Sequence, residues 1–135
     1  MSRNRTPVIF SVLLAFSFFV ISGILPAAAQ SVALDGKTFA VKVGETGKIG
    51  HEDELIFTHR TFKSTAFVKY GFGSGPYTTI SDGETTTFNA VTTNNHGAKM
   101  KWVGTISGKK ISGEMTLYEK GKHPVKYWFS GKLDS

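Results

Sequence analysis

The side chains that could do chemistry in this chain are few and badly spaced for it. His51 precedes Glu52, Asp53 and Glu54, while His59, His96 and His123 are scattered. A zinc-binding helix needs two histidines one turn apart, as in His-Glu-x-x-His, and no such spacing occurs. The His51–Glu54 run is therefore read as an acidic loop entering a strand, and no metal is expected. Ser74, in Gly73-Ser74-Gly75, has no identifiable base beside it, and no Gly-x-Ser-x-Gly elbow, Ser-x-x-Lys context or paired carboxylate is present. Gly71-Phe72-Gly73-Ser74-Gly75-Pro76 is not a phosphate loop either, because no helix follows to present aligned N–H groups. No catalytic residue and no cofactor is expected, and the chain is not read as an enzyme. What remains is a set of amphipathic rings. Tyr77, Trp102 and Tyr127, with Phe88, are the expected ligand-binding wall, since each polar ring can orient a ligand through one hydrogen bond. Lys126 and Trp128 are the expected interaction surface.

Such rings must be held by strands. Beyond the first 29 residues the apolar positions alternate, Thr, Val, Phe and Tyr abound, and Gly or Asn clusters punctuate at short intervals. Strands are expected near 37–43, 53–59, 61–68, 76–80, 84–92, 98–106, 109–118 and 124–133. Two-residue turns are expected at Asp82-Gly83 and Ser107-Gly108. Longer loops are expected at Asn94-Asn95-His96-Gly97 and Lys120-Gly121. The first turn sets Tyr77 opposite Phe88 and Thr79 opposite Thr86. The second sets Trp102 opposite Gly113, covering the bare glycine, Met100 opposite Met115 and Lys101 opposite Glu114. A one-residue slip would turn every side chain to the wrong face, so the faces are well specified. The expected inward set is Phe39, Val41, Leu55, Phe57, Tyr77, Phe88, Met100, Trp102, Ile106, Ile111, Met115, Leu117, Tyr127 and Phe129.

Eight short strands joined mostly by short turns imply an all-β domain: a single antiparallel up-and-down barrel, whose closure removes both exposed edges. An open β-sandwich is the alternative. An eight-stranded barrel is just wide enough to be filled by side chains or to hold one small ligand.

The start of the chain reads as an export signal. Arg3 and Arg5 form a basic start, Val8–Leu25 is apolar, and Pro26 with Ala27-Ala28-Ala29 fits a cleavage site after Ala29. Residues 1–29 are thus the expected signal peptide, residues 30–135 the barrel domain, and the destination the periplasm or the medium. Cleavage of the 135-residue chain leaves 106 residues, and loss of Arg3 and Arg5 lowers the net charge from +6 to +4. There is no cysteine for a lipid anchor or a disulfide, so packing must stabilise the domain alone. An exported, mildly basic domain makes nucleic acid an improbable partner. A small apolar or amphipathic ligand, or an anionic envelope component, fits better, and no membrane span is expected once the signal is removed.

The spaced pairs Gly71-Phe72, Pro76-Tyr77, Phe88-x-Ala90, Trp102-x-Gly104, Ile111-x-Gly113 and Tyr127-Trp128-Phe129-x-Gly131 resemble those of small secreted bacterial proteins with calycin-like barrels, the architecture of lipocalins, avidins and fatty-acid-binding proteins. The resemblance covers about residues 35–133, rests on spaced aromatics and glycines, and implies the barrel. The chain departs from true lipocalins at Asp35-Gly36-Lys37-Thr38-Phe39, where Phe39 stands in place of the first-strand Trp, and it is short for that family.

Overall fold

The computed structural model describes residues 32–135. The expected signal peptide, residues 1–29, lies outside the described residues. Eight antiparallel strands follow one another around a closed barrel: β1 (Thr38–Glu45), β2 (His51–Thr58), β3 (Thr61–Ser64), β4 (Gly75–Asp82), β5 (Thr85–Thr93), β6 (Lys99–Ser107), β7 (Lys110–Tyr118) and β8 (Val125–Leu133). The seam is made by β1 and β8, with Val41 opposite Gly131 and Val43 opposite Phe129. The barrel is therefore up-and-down and closed, not an open sandwich, and its shortest junction is β3 with β4, where Thr61 pairs with Pro76 and Phe62 with Gly75.

Period-two alternation produces the core. In β6, Met100, Trp102, Gly104 and Ile106 are buried while Lys99, Lys101, Val103 and Thr105 face solvent. Phe57 sits at the centre, with ring centroids 5.2 Å from Phe62, 4.9 Å from Tyr77 and 5.1 Å from Phe88. Most of the expected inward set is buried; Leu117 and Tyr127 are only partly so and pack against the core from one end. Phe62, Phe72, Val43 and Leu34 join the core in addition.

Both tight turns lie one residue later than expected. Asp82 pairs with Thr85 and Ser107 with Lys110, so the loops are Gly83-Glu84 and Gly108-Lys109. The reason is conformational. A turn centred on Asp82-Gly83 or Ser107-Gly108 would ask a non-glycine residue for positive φ, whereas a turn that begins with glycine asks only the glycine, and Gly83 and Gly108 have φ of +65° and +61°. The shift moves each partner by two residues and so keeps every face. Tyr77 now opposes Ala90, Thr79 opposes Phe88, Trp102 opposes Met115 and Met100 opposes Leu117. Gly113 opposes Gly104, and the ring over this bare pair is Phe129, not Trp102. Lys101 opposes Thr116; Glu114 instead meets Lys126 at 4.0 Å.

Two further expectations change. The strand expected over 61–68 ends at Ser64, and Thr65–Tyr70 form a 3-10 turn that crosses one end of the barrel. The run His51–Glu54 is not a loop but the first half of β2. Alternation there sends His51 and Asp53 to one face and Glu52 and Glu54 to the other, which separates the acids. Among the described residues no group of three or more His, Asp or Glu could hold a metal ion.

Candidate functional site

The two barrel ends differ because the chain enters and leaves at one of them. At this base, the Tyr77 hydroxyl accepts from the Leu34 N–H at 3.1 Å and donates to the Asp35 carboxylate at 2.8 Å. Asp35 also accepts the Arg60 N–H, and the Thr38 N–H donates to the Ser135 carbonyl at 2.8 Å. Tyr77 thus fastens the N-terminal segment across the base. Burial, with the bond to Asp35 second, pushes its pKa from the ordinary 10.0 to about 12. The neutral phenol is the form favoured by folding, so its contribution is whole below pH 10 and is lost as the pH rises towards 12. Urea unfolding should show stability falling through that window, and Tyr77→Phe should flatten the fall; an unchanged slope in the variant would contradict this role.

The opposite end is the mouth. It gathers the β1–β2, β5–β6 and β7–β8 loops and the 3-10 turn Thr65–Tyr70. None of that turn's residues is fully buried. Its hold on the barrel comes from Asp53, which the alternation of β2 turns inward and leaves 6% exposed. The Asp53 carboxylate accepts from the Ser64 hydroxyl, from the Thr65 hydroxyl at 3.1 Å and from the Ala66 N–H at 2.8 Å. Ser64 precedes the turn but makes no cap of its own, so a neighbouring strand supplies the cap. At the other end of the turn Gly71 takes φ +91°, and the Asn94 side-chain amide donates to the Tyr70 carbonyl at 3.3 Å.

Held this way, Phe67 enters the mouth from above. Its ring lies 6.2 Å from Trp102, 6.1 Å from Tyr127, 6.5 Å from Phe72 and 6.2 Å from Tyr70. Two cavities flank it. One, of about 250 Å³, is walled by Val43, Ile49, Tyr70 and Tyr127. The other, of about 700 Å³, is walled by Phe72, Met100, Leu117 and Tyr127. Phe67, Lys69, Tyr70 and Tyr127 belong to both. The mouth also exposes apolar surface: Ile49 is 88%, Tyr70 58% and Val68 47% accessible. The Lys69 ammonium stands 5.4 Å from the Tyr70 ring centroid. The rim acids Glu45 and Glu119 are each met by a lysine, Lys48 at 3.5 Å and Lys122 at 3.9 Å. Burial, reinforced by the Glu45 and Glu119 carboxylates, raises the Tyr127 pKa, so its phenol is a neutral donor at ordinary pH.

The expected wall residues therefore separate. Tyr127 lines both cavities. Tyr77, Phe88 and Trp102 are at most 1% exposed and packed among other rings, and none of them lines either mouth cavity. Of the expected surface pair, Trp128 donates its indole N–H to the Lys48 carbonyl at 3.1 Å and lays its ring against Gly50, fastening the β1–β2 loop. Lys126 remains exposed beside Glu114. Sequence reasoning missed Phe67, Lys69 and Tyr70 because the strand expected over 61–68 runs through the first part of this turn and leaves the last two residues in a connection. Comparison with protein-family models, with curated proteins and with solved structures finds no match for the chain.

Proposed function

We propose that this protein is an exported, non-catalytic binding barrel that takes one small amphipathic ligand at its mouth. The observation that carries the reading is the pair of cavities sharing Phe67, Lys69, Tyr70 and Tyr127 at the end of a barrel whose core is otherwise filled by rings. Their volumes fall in or near the range of small-ligand sites, about 300–1,000 Å³. The apolar walls suit a short acyl chain. Lys69 is the cation common to both cavities, and the lysine partners of Glu45 and Glu119 temper the nearest negative charge, so the head group is an anion or a strong acceptor. A filled core also suits an outward-facing interaction module, but the Trp128 indole is already bonded within the molecule and Lys126 already meets Glu114, which leaves that surface little to offer a partner.

Undecanoate is the probe. Titrated into the full mature chain, it should shift the ring resonances of Tyr70 and Tyr127 and raise the melting temperature. Lys69→Ala should weaken it about two- to fivefold, the worth of an exposed ion pair. If undecanoate leaves those rings unmoved, the proposal fails.

A further inference from the structure

Trp102 carries a polar group that the fold does not use. The residue is 0% exposed, and its indole Nε1 has no hydrogen-bond partner among the described residues. Buried tryptophan N–H groups usually find an acceptor, and an orphaned buried donor is a cost to the fold that a ligand can relieve. The surroundings show how one could arrive. Three of the rings around Trp102 are Phe62 at 5.0 Å, Phe129 at 5.4 Å and Phe67 at 6.2 Å. Phe62 and Phe129 are strand residues fixed in the barrel wall. Phe67 belongs to the 3-10 turn, none of whose residues is fully buried and whose start is held by Asp53. It also lines both mouth cavities. Met100, the inward residue of β6 next to Trp102 on the mouth side, lines the larger one. Of these three rings, Phe67 is the one that both contacts the Trp102 ring and lines the mouth cavities.

We propose that Phe67 is a displaceable plug and that the Trp102 indole N–H is an inner polar subsite, which receives a neutral hydrogen-bond acceptor, such as a ketone carbonyl, at the tail end of an amphipathic ligand. This rests on the proposed mouth site and adds to it a chemical preference. The acceptor is neutral because the ring neighbours of Trp102 are phenylalanines, which offer no cation to a second carboxylate. The ligand's anionic head stays at Lys69 while its tail moves Phe67 aside. The ring can leave without opening the barrel, since the turn that carries it contributes no strand pairing.

The test compares undecanoate with 10-oxoundecanoate on the full mature chain. The two probes share their head and length and differ by one carbonyl near the inner end. A satisfied buried donor should favour the keto acid about tenfold, the equivalent of one good hydrogen bond. The Trp102 indole N–H resonance should move with the keto acid alone. That of Trp128, already bonded to the Lys48 carbonyl, serves as the internal reference. Trp102→Phe should abolish the preference, so that the two probes bind alike, and Phe67→Ala should strengthen keto-acid binding by removing the plug. If both probes bind equally and shift Tyr70 and Tyr127 but not the Trp102 indole, the inner subsite is wrong and the mouth site stands. If neither probe binds, both readings fall. Should Trp102→Phe not fold, the indole resonance of the natural chain decides the matter by itself.

Discussion

Replacing Gly131 by valine should cost the domain about 3 kcal/mol, the upper end of what overpacking usually does. Gly131 stands opposite Val41 on the β1–β8 seam. A Cβ placed on it would lie 2.0 Å from the Ala40 carbonyl oxygen and 2.5 Å from the Val41 Cα. Those are backbone atoms, so no rotamer change relieves the clash and the two strands must separate. The seam is also the one pairing that joins the first strand to the last. Its loss turns a closed barrel into an open sheet with two bare edges, a template for pairing between chains. The urea midpoint should fall sharply and the variant should self-associate. Gly73, by contrast, has nothing within 4 Å of its would-be Cβ, and Gly73→Ala is the matched control. A valine variant as stable as the control would mean that the seam is not where closure is decided.

Closure itself was legible because it follows from counting. Eight alternating segments with short connections leave few arrangements that hide both edges. The faces were legible for a sharper reason, visible in the two displaced turns. Moving a hairpin's centre by one residue changes every partner, but the partners change by two positions and side-chain direction is preserved. Phe88 faces inward whether it meets Tyr77 or Thr79. The break between β2 and β3 was placed by the strands expected over 53–59 and 61–68, but the turn itself carries no glycine, and His59 and Arg60 take φ of +51° and +64°. The Asp35 carboxylate, 25 residues away, holds that conformation by accepting the Arg60 N–H. The conformation of a turn fixed by a distant acceptor cannot be read from its own residues.

The candidate site was legible only in part, and for the same physical reason. Tyr127 belongs to a strand with clean alternation, so its end of the barrel could be anticipated. Thr65–Tyr70 carries β-branched and aromatic residues that suit a strand equally well, and its turn depends on Asp53 from β2. Asp53 in turn looked like one member of an acidic run. Only the pleat, which separates it from Glu52 and Glu54, marks it as inward.

Asp53→Ala is accordingly expected to be about as damaging as Gly131→Val, although it too touches no part of the aromatic core. The carboxylate accepts three hydrogen bonds, and bonds to a charged group are worth about 1.5–3 kcal/mol each when removed singly. They share one acceptor and are not additive, and deleting the charge also removes its burial cost. The net loss should be about 3 kcal/mol, most of it from the orphaned Ser64 hydroxyl, which is only 4% exposed. Asp53→Asn keeps one oxygen acceptor and should lose roughly half as much. Stability alone would not distinguish an anchor for the turn from a general buried polar group. Hydrogen exchange does. The Ala66 N–H, which donates to Asp53 at 2.8 Å, should lose protection in Asp53→Ala, while the β6 and β7 amides, which are paired with each other from Lys99 to Tyr118, should keep most of theirs. Phe67, Lys69 and Tyr70 would then no longer be fixed over the mouth, and undecanoate affinity should fall with Ala66 protection. If the amide exchanges as slowly in the alanine variant as in the natural chain, the turn has another anchor and the mouth does not depend on Asp53.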